Sequence, residues 1–371
     1  TIDRLLAGIT GVTWQSVVMI AVACVLLYLA IARDYEPLLL LPIGAGAILA
    51  NLPLSPMVGE RGLLTILYDA GVANELFPIL IFVGIGAMTD FGPLLENPRM
   101  ILLGAAGQFG IFGVLLLALV LGFSRPEAAS IGVIGAIDGP TSIYVSSQLA
   151  PHLLGPITVA AYSYMALVPV IMPPIMRALT TADERRIRMH HAGRLVSRRT
   201  RILFPLGVML LVGTLVPYAT PLVGSLMLGN LMRESLVVPR LTDAAANELT
   251  NVVTLFLGLA IGSTMIGTAF LQPATLAILG LGIVAFGLDA AAGLLLAKVL
   301  NRLSGGTFNP LIGAAGISAF PMAARVVQRV AQHEDFENFP LMHAMGANAA
   351  GQVASTVAGG VLLALVAGSA G

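Results

Sequence analysis

The sequence predicts an all-α protein that crosses a membrane repeatedly, and three observations carry that prediction. Of its 371 residues, 57% are hydrophobic and only 10% charged, whereas a soluble domain carries charge on about a quarter of its residues; the chain has too little polar surface to face water. A mean hydropathy of +0.93 is spread over a dozen apolar segments, many of them of bilayer-spanning length. Several segments also contain glycine and proline that would break a plain helix. Such breaks are tolerated at membrane depth only where protein or water satisfies the freed backbone groups.

In chain order the apolar segments fall at 13–33, 37–52, 75–95, 100–123, 127–149 and 153–179, then at 202–217, 219–232, 248–269, 273–300, 308–326 and 339–368. The first lacks a small-residue cleavage site and reads as a membrane helix rather than a signal peptide. Between the two sets lies TADERRIRMHHAGRLVSRRTR at 181–201, whose seven arginines mark it as cytoplasmic. The expected organisation is a first membrane repeat at 1–180, this linker at 181–201, and a second repeat at 202–371. NELFPILIFVGIGAMTDF at 74–91 parallels NELTNVVTLFLGLAIGSTM at 247–265, and GAIDGPTS at 135–142 falls about where NPLIGAAG at 309–316 falls. Duplication explains these matches; chance likeness among Gly/Leu/Ala-rich helices is the competing account. If one broken segment in each half re-enters without crossing, the repeats are inverted. The segments 135–142 and 309–316 are expected to meet at a central polar site.

The net charge is zero, so the basic footprint of a nucleic-acid binder is absent and no nucleic-acid partner is expected; the lipid bilayer is. Cys24 is the sole cysteine, which excludes a disulfide framework. His152, His190, His191, His333 and His343 lack zinc-ligand spacing beside a carboxylate.

Asp138, in SIGVIGAIDGPTSIYVSS, is the sharpest signal, because an intramembrane carboxylate is costly and faces a site, pathway or partner. The plainer reading is an Asp-Gly turn near the surface. Thr141, Ser142, Tyr144, Ser146 and Ser147 follow it, so hydroxyl oxygens gather on one broken helix. Oxygen ligands of this kind suit a hard cation such as sodium, and equally a proton relay. Tyr162 and Tyr164 lie in the middle of their segment rather than at an aromatic belt, and their hydroxyls need partners. In TFNPLIGAAGISAFPMAARV, Asn309 reads either as a site amide or as a cap before Pro310, Gly313 as a close approach, and Ser318 as an interhelical donor. Arg325 follows, and alone it would be read as snorkelling to the interface. Asn348, between Gly346 and Gly351, marks either a polar site or a close helix crossing.

On these residues, and on the stretches YEPLLLLPIGAGAILANLP, ELFPILIFVGIGAMTDFGPLLENP, DGPTSIYVSSQLAPHLLGPITVAAYSYMALVPVIMPPIMRALTT, LMLGNLMRESLVVPRL and NPLIGAAGISAFPMAARV, the chain resembles the beta subunit of the sodium-pumping, biotin-dependent decarboxylases almost end to end. That family acts on oxaloacetate, methylmalonyl-CoA, glutaconyl-CoA or malonate. The resemblance implies decarboxylation of carboxybiotin, carried by a partner subunit, coupled to sodium export with consumption of a proton. Its implied cofactors are sodium ion and carboxybiotin. The implied partners are a biotin-carrier/carboxyltransferase subunit and a small membrane gamma-type subunit, in a homo-oligomeric complex of a bacterial or archaeal inner membrane. Residue by residue, the resemblance implies catalytic roles for Asp138, Tyr164, Ser318 and Arg325, carboxybiotin contacts for Arg325 and Asn309, and sodium contacts for Asp138, Tyr162, Tyr164, Asn309, Gly313, Ser318 and Asn348. The chain departs from the family pattern at Ile137, where a small residue is common, and at Gln148, where a lysine is common. A sodium- or proton-coupled secondary transporter without an enzymatic step is the alternative, and a passive anchor for soluble subunits is a third reading that a buried Asp138 disfavours.

Overall fold

The computed structural model describes Gly8, residues 10–189 and residues 196–367. Every regular element among them is helical. Among the described residues six helices are long and apolar enough to cross a membrane: Trp14–Arg33, Met100–Val120, Pro151–Leu179, Pro239–Thr264, Pro273–Leu303 and Leu341–Val366. Leu63–Val72 and Leu76–Met88 would make a seventh span, bent by 63°. The dozen apolar segments are therefore not a dozen spanning helices. Segment 127–149 splits into Arg125–Gly132, a 3-10 turn at Val133–Ala136 and Gly139–Leu149, and segment 308–326 into a 3-10 turn at Pro310–Gly316 and Met322–Glu334.

Local chemistry sets these limits. Trp14–Arg33 begins where the Thr13 side chain accepts the Ser16 N–H, and it ends at Asp34 in the left-handed region. Arg125–Gly132 opens on a Ser124/Glu127 capping box. The Glu127 carboxyl is held below the usual carboxylate range by the Ser124 hydroxyl and by His152.

Helices of the two halves pack reciprocally. Pro37–Asn51 lies against Thr250–Thr264, while Thr220–Ser235 lies against Leu76–Met88. Both crossings are made by small residues: a Cβ on Gly46 would collide with the Leu259 backbone, and one on Gly229 with the backbone of Val83 and Ala87. With no aqueous hydrophobic drive between membrane helices, such backbone proximity is a main source of cohesion. Each crossing also carries a buried asparagine. Asn51 Nδ2 donates to Met265 O at 2.7 Å, and Asn230 Nδ2 to Thr89 O at 2.9 Å, so each satisfies a carbonyl at the C-terminal end of the helix it crosses. Tyr68–Val72 and Ala245–Leu249 are both π-helical turns, the first just before the 74–91 stretch and the second overlapping the start of the 247–265 stretch.

Ion pairs tie residues 185–188 to the end of Met322–Glu334 and the residues after it. Arg185 pairs with Glu334 at 2.8 Å, and Arg188 with Asp335 at 2.6 Å and Glu337 at 2.8 Å. Arg188 holds the Asp335 carboxyl below its ordinary range. Residues 190–195, including His190 and His191, lie outside the described residues.

Candidate functional site

The site grows from a break in the chain. The Val133–Ala136 turn ends at Ile137, which is buried and left-handed at φ 52°, a conformation costly for a β-branched residue. It delivers Asp138, 3% exposed, to the N-cap of Gly139–Leu149, with Pro140 in the first turn. Oδ1 of Asp138 accepts the Thr141 N–H at 3.3 Å, and Oδ2 accepts the Thr141 hydroxyl at 2.9 Å. The second half supplies the other donors. Ser318 Oγ lies 3.1 Å from Oδ2, Ser355 Oγ 2.8 Å and Gln352 Nε2 3.4 Å.

Ser318 sits on the turn between Pro310–Gly316 and Met322–Glu334, and its N–H donates to Ala136 O at 3.3 Å. The two broken segments thus come together at Ala136–Asp138 and Ile317–Ser318. Gln352 and Ser355 are one turn apart on Leu341–Ala367 and present one face. Ser318 Oγ is also 2.8 Å from Ser355 Oγ and 3.1 Å from Gln352 Oε1. A serine hydroxyl has one proton, so Ser318 cannot donate along all three contacts at once. The cluster has more oxygen acceptors than protons to fill them. Asp138 Oδ2, Thr141 Oγ1, Ser318 Oγ, Ser355 Oγ and Gln352 Oε1 form an oxygen set that can turn lone pairs toward a hard cation, or hold a proton in its place.

The other sequence-predicted residues divide into near and far. The Tyr162 ring lies on Gly139, where a Cβ would overlap it, and its buried hydroxyl has no hydrogen-bond partner among the described residues; this places it beside Asp138. Tyr164, two residues on and about 200° around the helix, faces away and donates to Leu279 O. Asn348 donates to Ile317 O at 2.6 Å and so braces the turn carrying Ser318. Asn309 is not at the carboxylate. Its Oδ1 caps Leu311 N at 3.0 Å, and its Nδ2 holds Arg185 O and Ile187 O at 3.1 and 2.8 Å. Asn338 Nδ2 holds the same two carbonyls. Arg325 is exposed on Met322–Glu334. Of the hydroxyls after Asp138, Ser142, Ser146 and Ser147 bond back to carbonyls of their own helix, leaving only Thr141 on the carboxylate.

Gly313 lies against Gly293 on Pro273–Leu303, and a Cβ on either would strike the other's carbonyl oxygen. Gly313→Val should destabilise the fold by about 3 kcal/mol, the upper range for overpacking, and lower the melting temperature of the detergent-solubilised protein. An unchanged melt would remove the packing role.

Gln352 and Ser355 complete the site beyond the residues marked in the sequence. The available signal was GQVAS, two polar side chains at i and i+3 within an apolar helix. A cavity of about 730 Å³ adjoins residues 187–189 and Phe308, lined in part by Glu96, Arg99, Arg188, Thr307 and His343.

Comparisons with known proteins agree with one another. The family model described as the Na+-transporting oxaloacetate decarboxylase beta subunit matches residues 15–366. The chain is 55% identical to the methylmalonyl-CoA decarboxylase subunit beta of Propionigenium modestum, over 96% of each chain. It is 50% identical to the glutaconyl-CoA decarboxylase subunit beta of Acidaminococcus fermentans, over 98% of this chain and 96% of that one. With the oxaloacetate decarboxylase beta chain of Klebsiella pneumoniae the identity is 48%, over 93% and 94%.

Proposed function

Because the chain belongs to the family of Na+-transporting oxaloacetate decarboxylase beta subunits, we propose that it decarboxylates carboxybiotin presented by a partner subunit and exports sodium at the Asp138 site. The bond between the biotin ring nitrogen and the carboxylate carbon breaks, carbon dioxide leaves, and the nitrogen takes up a proton. Sodium and the biotin group are the cofactors of this reading. A biotin-carrier/carboxyltransferase subunit, a gamma-type membrane subunit and further copies of this chain are its partners, in a bacterial or archaeal inner membrane. Two inverted repeats, 1–180 and 202–371, joined by the cytoplasmic linker 181–201, are its architecture. The reciprocal helix pairing and the two matching π-turns support that division.

One observation carries the proposal: a carboxylate buried at a helix break and ringed by hydroxyl and amide groups from both halves. An intramembrane carboxylate in that setting is a binding group for a cation or proton. Sodium bound at Oδ2 would turn the Thr141, Ser318 and Ser355 protons outward. Sodium release with proton uptake would restore the hydrogen-bonded arrangement described above. The two occupancies favour different conformations only through their different affinities for each. Carboxybiotin approaches from the linker side in this reading, where Arg325 is exposed and Arg99 lines the cavity beside Asn309; a guanidinium engages a carboxylate through paired hydrogen bonds.

The test is carbon dioxide release from carboxybiotin by the purified chain, with and without sodium. Sodium-dependent release is expected, and Arg325→Ala should raise the carboxybiotin concentration needed for half the maximal rate by about tenfold, the loss of one charge-assisted contact. Sodium-coupled solute uptake in liposomes with no carbon dioxide release would instead establish a plain transporter.

A further inference from the structure

A second carboxylate is buried in the membrane region and takes no part in the chemistry above. Asp289, on Pro273–Leu303, has no exposed surface. Its Oδ1 accepts the N–H of Gly110, the second residue of the half-helix Phe109–Val120, and its Oδ2 has no hydrogen-bond partner. That Oδ2 faces Gly135, where a Cβ would come within 2.8 Å of it and 3.0 Å of Ile111 N.

The half-helix it caps, with the two residues before it, touches the turns that carry Asp138 and Ser318. Just before it, Gln108 Nε2 donates to Gly316 O at 3.4 Å, and a Cβ on Gly107 would strike the same carbonyl; Gly316 precedes Ser318 by two residues. On the other side, Ile111 meets Gly135 of the Val133–Ala136 turn, which ends two residues before Asp138. The Met100–Val120 span is itself interrupted at Gly107 and Gln108, so three broken helices meet there, and the third is held by Asp289. A helix N-terminus leaves N–H groups without intrahelical partners, and an acceptor there fixes its position.

We infer that Asp289 is a positioning residue for the sodium site: it pins the Phe109–Val120 N-terminus so that the Asp138 and Ser318 turns rest against a fixed surface. The inference rests on the proposed function for its activity readout, but not for its binding readout. Asp289→Asn keeps an acceptor for Gly110, Asp289→Ala removes it, and Gly135→Ala pushes on the same carboxylate from the opposite side.

Each purified variant would be assayed for the sodium concentration that half-saturates carbon dioxide release, and for the sodium concentration that half-saturates the rise in melting temperature. The second measurement needs no turnover. Asp289→Asn should stay within about threefold of wild type in both. Asp289→Ala and Gly135→Ala should raise both by about a hundredfold, the cost of misplacing a binding group by about an ångström, with the maximal rate largely kept. A wild-type sodium response in folded Asp289→Ala would overturn the inference. So would an Asp289→Asn as impaired as Asp289→Ala, because the charge rather than the acceptor would then be at work. Where Asp289→Ala does not fold, Gly135→Ala decides: a wild-type sodium response in that variant overturns the inference, and a weakened one supports it. Sodium protection of wild type without any sodium-dependent carbon dioxide release would refute the proposed function while leaving this inference testable.

Discussion

Asp138→Asn is expected to reduce sodium-dependent decarboxylation by about a hundredfold or more, the scale of losing or misplacing a binding group at a preorganised site, while the protein stays folded. The amide keeps the size and polarity of the carboxyl but replaces one oxygen with a donor. In wild type, Oδ2 receives four contacts from Thr141, Ser318, Gln352 and Ser355. An amide nitrogen in that place would face donors, and an amide oxygen would offer a cation no full charge. The remaining oxygen can still cap Thr141, so the helix start survives. Asp138→Glu should be partial at best, since its longer stem moves the carboxylate against the Tyr162 ring packed on Gly139. Carbon dioxide release against sodium concentration, beside a thermal melt, measures both. Wild-type rate and sodium dependence in Asp138→Asn would remove the site assignment, and a collapsed melt with lost activity would make the aspartate structural.

Ser318→Ala and Ser355→Ala are expected to weaken sodium binding by about tenfold each, because a hydrogen bond or ligand contact to a charged group contributes about 1.5 kcal/mol or more. The two effects should not add. The hydroxyls lie 2.8 Å apart and share Asp138 Oδ2, so removing one already disturbs the other. A double variant whose sodium half-saturation equals the product of the single effects would make the serines independent and count against a shared ion position.

The sequence made Asp138 legible because a carboxylate in an apolar run followed by Gly-Pro has few cheap explanations. Ser318 became legible through its place in the second broken segment. Gln352 and Ser355 did not, because small polar residues in a membrane helix usually serve packing, and their approach to Asp138 spans more than two hundred residues of chain. From the residues alone Tyr162 and Tyr164 read alike, since helix phase relative to a distant turn is set by packing alone, and the resemblance singled out Tyr164 for catalysis. It is Tyr162 that lies on Gly139 next to Asp138, while Tyr164 bonds to Leu279 O. Asn309 carried two readings, and its side chain acts as a cap and as a clasp on the linker. The count of crossings was blurred for a related reason. Hydropathy does not distinguish a spanning helix from two short ones meeting at a break, and 127–149 and 308–326 are of the second kind.

The reciprocal pairing of the halves constrains how such a chain can be made. Pro37–Asn51 and Leu76–Met88 emerge early in synthesis, but the helices that cover their glycine faces, Thr250–Thr264 and Thr220–Ser235, come well over a hundred residues later. Until the second half arrives, the buried carboxylate has no Ser318, Gln352 or Ser355 to meet, Asn51 has no Met265 carbonyl to reach, and the Thr89 carbonyl has no Asn230 to cover it. A nascent first half is therefore an incomplete surface in the lipid, dependent on the insertion machinery or on rapid completion of the chain to escape membrane proteases.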